Sequence, residues 1–111
     1  MYTPLENTIK EAVNRLVNKF NPEKIILFGS QARGTADEKS DIDFLVICSF
    51  SGNRYSLLVD MDRALKGLIF ARDIVVLTPE EYETNSKIIG TIARPASIEG
   101  KILYERGRVN P

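Results

Sequence analysis

Residues 24–48 have the sequence KIILFGSQARGTADEKSDIDFLVIC, and this stretch decides the fold. It contains two apolar runs, residues 24–28 and 41–48, separated by a polar connection that includes glycine. Short runs rich in branched residues are typical of buried strands. The second run is hydrophobic on both faces, which is typical of a strand in the interior of a sheet. The stretch therefore predicts two neighbouring structural elements of a central β-sheet.

The flanking sequence predicts helices on either side of these strands. Apolar residues recur at helical spacing over residues 5–20 and again over 55–68. A strand is predicted at 72–77, a helix start at Thr78-Pro79, and a last short strand at 101–104. Further elements are expected as a brief helix after Ser30 and a helix through residues 88–93, which Pro95 must kink or restart. The order helix, strand, strand, helix, strand, helix, strand predicts an α/β fold around one sheet.

Length and charge limit the classes of function. The 111 residues are enough for one domain, 1–111, and too few for two. Lys+Arg and Asp+Glu are both 15, so the formal net charge is zero. General affinity for nucleic acids or membranes depends on excess positive charge, and we expect neither partner. We expect a cytoplasmic protein, because no secretory signal and no apolar stretch near twenty residues is present.

Two residue types narrow the chemistry. The single cysteine, Cys48, cannot form an internal disulfide and is predicted to be a small buried hydrophobic residue. The sequence contains no histidine, which excludes His-based acid–base chemistry, catalytic triads with histidine, and imidazole metal sites. A metal site in this chain would use oxygen ligands, which favours magnesium, manganese or calcium over zinc.

Three aspartates stand at the starts of predicted strands. Asp41 and Asp43 are two positions apart, so in a strand both carboxylates point to one face, roughly 7 Å apart. They repel each other unless a cation lies between them. Asp73 begins the third strand, and if the second and third strands are neighbours, the three carboxylates converge on a magnesium site. Two such ions could stabilise the attacking and leaving oxygens of a nucleotidyl transfer. The alternative is that Asp41 caps the entrance of its strand and that Asp43 and Asp73 are exposed at strand ends.

A second candidate site follows the first strand. Gly29 allows close approach of a ligand to the backbone, and Ser30 with free N–H groups at a helix start can bind an anion. Arg33 could pair with a phosphate through two hydrogen bonds. The alternatives are that Ser30 is a helix cap and that Arg33 is a solvated surface charge.

Together these motifs resemble a known family. Gly29-Ser30, ten intervening residues and then Asp41-x-Asp43 resemble the signature of nucleotidyltransferases related to DNA polymerase β. The local match comprises residues 27–34 and 40–46. The carboxylate in Arg72-Asp73-Ile74-Val75 and the segment 100–105 extend the resemblance over most of the chain. The chain is most similar to the minimal nucleotidyltransferase branch, called MNT.

The resemblance implies a fold and roles for individual residues. It implies a single nucleotidyltransferase domain whose central mixed sheet is flanked by helices. Gly29, Ser30 and Arg33 would bind the nucleotide, with ATP as the substrate. Asp41 and Asp43 would hold two Mg²⁺ ions, and Asp73 would be the third metal ligand and activate the acceptor hydroxyl. Arg72 departs from the pattern, which more often has an aliphatic residue there; it could contact a phosphate or the acceptor, and we expect it to face water.

The resemblance also implies a partner. MNT proteins pair with HEPN-domain toxins as antitoxins, and some transfer AMP from ATP to a tyrosine of the toxin. The implied function is therefore a type VII-like antitoxin that forms a hetero-oligomer with a HEPN toxin. HEPN toxins use an arginine–histidine motif. This chain has no histidine and is therefore not the toxin of such a pair.

Two alternatives stay open. The protein could neutralise its partner by contact alone, with little or no catalysis. It could instead transfer the nucleotidyl group to a small molecule such as an aminoglycoside, although so short a chain has little material for an acceptor pocket.

Overall fold

The computed structural model describes residues 4–29, 41–88, 90 and 100–107. This part of the chain forms a four-stranded sheet and three helices. Their bounds are α1 Pro4–Phe20, β1 Lys24–Phe28, β2 Ile42–Ile47, α2 Arg54–Ala64, β3 Arg72–Leu77, α3 Pro79–Asn85 and β4 Lys101–Glu105. Within these residues, none of the helices is both long enough and apolar enough to cross a bilayer.

The sheet is mixed, with strand order β3-β2-β1-β4. Strand β1 is antiparallel to both β2 and β4, whereas β2 and β3 are parallel. Parallel neighbours need a crossover connection, and α2 provides it between β2 and β3. The predicted α/β class, with one central mixed sheet flanked by helices, is confirmed.

The sheet has two apolar faces, because side chains alternate along each strand. On the first face, α1 and α2 pack over buried residues of β1 and β2, among them Ile25, Phe44 and Val46. Phe44 is fully buried and makes an edge-on contact with the Phe70 ring, at 6.2 Å between centroids. We call this the helix face. The opposite face contains a second, smaller buried cluster of Ile26, Leu45 and Ile47.

The predicted end of α1 and the predicted start of α3 are confirmed. Helix α1 ends before Pro22, and Asn21 takes a left-handed conformation (φ 49°) that stops the helix. Helix α3 begins with a capping box, in which the Thr78 hydroxyl accepts from the Glu81 N–H and the Glu81 carboxylate accepts from the Thr78 N–H.

Helix α2 is shorter than predicted and ends at Ala64, not at residue 68. The following residues form tight turns, with Leu65 N–H donating to Asp62 O and Leu68 N–H donating to Leu65 O. Arg15 of α1 donates to the Ala64 and Lys66 carbonyls and so satisfies acceptors at this helix end. That contact is tertiary, and the local sequence pattern could not indicate it.

Several other expectations have mixed outcomes. Cys48 is buried as predicted, 4% exposed, and burial raises the pKa of its thiol. Strand β4 extends one residue beyond the predicted range, and β2 begins one residue after the predicted start. The brief helix predicted after Ser30 and most of the helix predicted over 88–93, including its disruption at Pro95, lie outside the described residues.

Candidate active site

One end of the sheet collects those predicted site residues that the structure describes. Strand β1 ends at Phe28 at this end of the sheet, and its antiparallel neighbour β2 begins there at Ile42. Strand β3 is parallel to β2 and therefore begins at the same end of the sheet, at Arg72. The Ile42 N–H donates to the Ala71 carbonyl at 2.9 Å, which joins the two strand entrances. The turn after β1 and the starts of β2 and β3 are thus neighbours.

Asp43 and Asp73 lie side by side at this end of the sheet. They are direct partners in the parallel ladder, so their side chains project from the same face of adjacent strands, whose backbones are about 4.8 Å apart. Asp43 alternates with Phe44 of the helix face, which places both carboxylates on the opposite face. Asp43 is partly buried, whereas Asp73 is exposed. The second and third strands are neighbours, which is the condition under which the carboxylates were expected to converge.

Asp41 lies immediately before β2 and is exposed. It has no partner in the strand register, so the convergence of all three carboxylates stays a prediction. Among the residues that the structure describes, no group of three or more His, Cys, Asp or Glu side chains is arranged to hold a metal ion. The pair Asp43 and Asp73 is therefore the structural basis of the candidate site.

Gly29 brings the turn after β1 against one of these carboxylates. Its φ is +76°, a left-handed conformation that glycine adopts without steric cost. A Cβ at this position would lie 2.3 Å from Asp43 Oδ2. Because residue 29 has no side chain, the Asp43 carboxylate can occupy the space beside it. Ser30 and Arg33, the other predicted nucleotide-binding residues, lie outside the described part of the chain.

The donor set suits a magnesium ion. Mg²⁺ in proteins is commonly held by one or two carboxylates and completes its shell with water and phosphate oxygens. Asp43 and Asp73 offer two carboxylates on one face, and the glycine turn lies directly against the Asp43 carboxylate. The residues present therefore fit the ion that the fold family implies.

Arg72 does not face water, and that expectation is wrong. Its side chain is only 15% exposed and pairs with Asp62 of α2. The guanidinium also donates to the Leu68 carbonyl and lies over the Phe70 ring. No local sequence pattern indicates Asp62 as the partner of Arg72, because ten positions and a turn separate the two residues.

A groove of about 750 Å³ lies elsewhere, between α1 and β4. Leu27 and Leu103 line it, and both belong to the helix face. The carboxylate pair is on the other face, so this groove is not part of the candidate site.

The sheet order, the glycine turn and the paired aspartates together define an α/β domain with two adjacent carboxylates at the start of its parallel strands. The chain belongs to the nucleotidyltransferase domain family, whose model matches residues 7–103.

Comparisons with known proteins give two relatives that match most of this chain. A protein of Methanocaldococcus jannaschii named "Putative protein adenylyltransferase" is 37% identical over 101 residues, which is 89% of this chain and 97% of the relative. A second protein of the same name and organism is 31% identical over 110 residues, 92% of this chain and 73% of the relative.

Two solved structures have the same fold. A "putative nucleotidyltransferase" from Sulfolobus solfataricus superposes with a TM-score of 0.65 at 24% identity, covering 90% of this chain and 79% of the other. A chain of a toxin–antitoxin structure with AMP-PNP superposes with a TM-score of 0.55 at 23% identity, covering 88% and 74%.

Proposed function

We propose that this protein is a magnesium-dependent protein adenylyltransferase that transfers AMP from ATP to a tyrosine hydroxyl of a HEPN-domain toxin, and so acts as its antitoxin. The observation that carries the proposal is the in-register pair Asp43 and Asp73 beside Gly29. The names of the two relatives support a protein as the acceptor. The toxin–antitoxin neighbour supports the proposal through its fold alone, because it is only 23% identical to this chain.

In the proposed reaction, the acceptor oxygen attacks the α-phosphorus of ATP. A new P–O bond to the acceptor forms, the bond to pyrophosphate breaks, and the hydroxyl proton leaves to a base. Mg²⁺ would supply positive charge that stabilises the phosphate oxygens, and Asp43, Asp73 and Asp41 would hold it. Gly29, Ser30 and Arg33 would bind the phosphates.

The exposure of the two paired carboxylates suggests different roles. Asp43 is partly buried against the glycine turn, which suits a fixed ligand. Asp73 is exposed, so a hydroxyl on another protein chain can reach it. We therefore propose that Asp73 acts as the general base that takes the proton of the acceptor hydroxyl.

The double variant Asp41→Ala/Asp43→Ala tests the proposal. The protein is incubated with ATP, Mg²⁺ and a candidate HEPN-domain partner, and the partner is analysed by mass spectrometry. We expect wild type to add AMP and the double variant to add none. Its urea midpoint should equal or exceed that of wild type, because removal of two like charges relieves repulsion.

Asp60→Ala is the matched control, because Asp60 is an exposed carboxylate of α2. It should label the partner at the rate of wild type. Normal labelling by the double variant would show that these aspartates are not catalytic.

A further inference from the structure

We infer that Arg72, held by Asp62, is a positioning residue that fixes Asp73 opposite Asp43. This inference rests on the proposed function, in which Asp73 is a metal ligand. Arg72 directly precedes Asp73, and adjacent strand residues project from opposite faces. The guanidinium therefore anchors the strand on the helix face, while the carboxylate acts on the other.

The guanidinium has several partners. Nε donates to Asp62 Oδ1 at 3.1 Å, and Nη2 lies 3.0 Å from the same oxygen. Nη1 donates to the Leu68 carbonyl at 3.2 Å, and the carbon of the guanidinium lies 5.0 Å from the Phe70 ring centroid. With 15% of the side chain exposed, the planar group is bound on its edges and on one face.

This anchor acts at the first residue of the strand. Strand β3 follows a tight turn and begins at Arg72, one residue before the carboxylate. Among the described strands, β3 lies at the edge of the sheet and pairs only with β2. A slip by one residue would move Asp73 to the helix face, away from Asp43. The contacts of Arg72 to α2 and to the turn oppose such a slip.

Charge and geometry predict opposite results for one substitution. Arg72→Met removes a positive charge near the carboxylates, which by electrostatics alone should strengthen cation binding. Asp62→Asn removes a negative charge, which alone should weaken it. If Arg72 and Asp62 act by positioning Asp73, both substitutions weaken cation binding.

The experiment is Mn²⁺ titration followed by electron paramagnetic resonance of the free ion, without nucleotide or acceptor. We expect Arg72→Met and Asp62→Asn each to raise the Mn²⁺ dissociation constant by about tenfold, as is typical when a residue that orients a ligand is lost. Arg72→Lys keeps the charge but not the planar fork, and should recover part of the affinity. Asp62 is 66% exposed, so its variant should fold even if Arg72→Met does not.

Arg15→Met is the matched control. Arg15 also binds the end of α2 through the Ala64 and Lys66 carbonyls, but it does not adjoin a carboxylate of the site. It should lower the urea midpoint and leave Mn²⁺ affinity unchanged. Equal loss of affinity in Arg15→Met, or unchanged or tighter binding in Arg72→Met, would overturn the inference.

The outcomes separate this inference from the proposed function. The positioning role would be supported if wild type binds Mn²⁺ and both Arg72→Met and Asp62→Asn bind it more weakly. Adenylyl transfer would be rejected if the same wild-type protein adds no AMP to its partner. A wild-type protein that binds no Mn²⁺ would overturn the positioning role.

Discussion

Gly29 shows how one backbone position can control a carboxylate. Gly29→Ala would place a methyl group 2.3 Å from Asp43 Oδ2 and force an L-residue into φ +76°. Since Oδ2 ends a flexible side chain, the carboxylate should rotate away. We expect AMP transfer to fall at least tenfold, measured as initial rate. We also expect a loss of about 1 kcal/mol in the free energy of unfolding, measured in urea, from the left-handed backbone.

Gly52→Ala separates these two effects. Gly52 has φ +91°, and a Cβ there would meet nothing within 4 Å. It should lose a similar amount of stability while keeping its rate of AMP transfer. Equal rates in the two alanine variants would mean that the contact with Asp43 does not matter for catalysis.

At the scale of elements, Glu81 joins the starts of two helices. Its carboxylate accepts from the Thr78 N–H in the capping box and pairs with Arg54 of α2. These interactions, the Thr78 hydrogen bond first, lower the pKa of Glu81 below its usual range. Because they stabilise the charged form, the folded state binds the proton less readily than the unfolded state does.

The consequence is a stabilisation that acid removes. It is fully present above the unfolded pKa, about 4.3, and is lost as pH falls through the lower folded pKa. Glu81→Gln should therefore destabilise the protein most near neutral pH, and its difference from wild type should shrink below about pH 4. Urea unfolding between pH 3 and 7 measures this.

The control for this prediction is Glu83→Gln, which removes an exposed carboxylate of the same helix. A difference between wild type and Glu81→Gln that is constant across this pH range would contradict the role of the charged capping box.

At the scale of the whole molecule, the proposed neutralisation of a toxin can proceed by catalysis or by contact. If transfer of AMP neutralises it, a trace of this protein with ATP and Mg²⁺ should silence a molar excess of toxin, because a catalyst turns over. The adenylate would add bulk and negative charge that repel a phosphate-rich RNA substrate. Titration of the toxin's RNA cleavage, with and without ATP, measures the outcome.

Neutralisation by contact makes a different prediction. It should need about one antitoxin for each toxin site and should not depend on ATP. If the titration is stoichiometric and Asp41→Ala/Asp43→Ala neutralises as well as wild type, contact is the mechanism.

Local sequence patterns predicted most of the described fold. The bounds of β1 and β3 agree with the structure, as does the capping box at Thr78. Each of these depends on interactions within a few residues, such as side-chain periodicity or a cap three positions away. The end of α2 was misplaced, and there Arg15, distant in sequence, donates to the carbonyl of its last residue, Ala64, and to that of Lys66 in the following turn.

By itself, the sequence determined which chemistry is available: aspartates at strand starts, a glycine turn after the first strand, and no histidine. Only the tertiary structure decided that Asp43 faces Asp73, that Gly29 adjoins Asp43, and that Arg72 is bound by Asp62. The physical reason is that strand order and register are set by contacts between residues far apart in the chain. The spacing of residues along a single strand carries no information about which strand lies beside it.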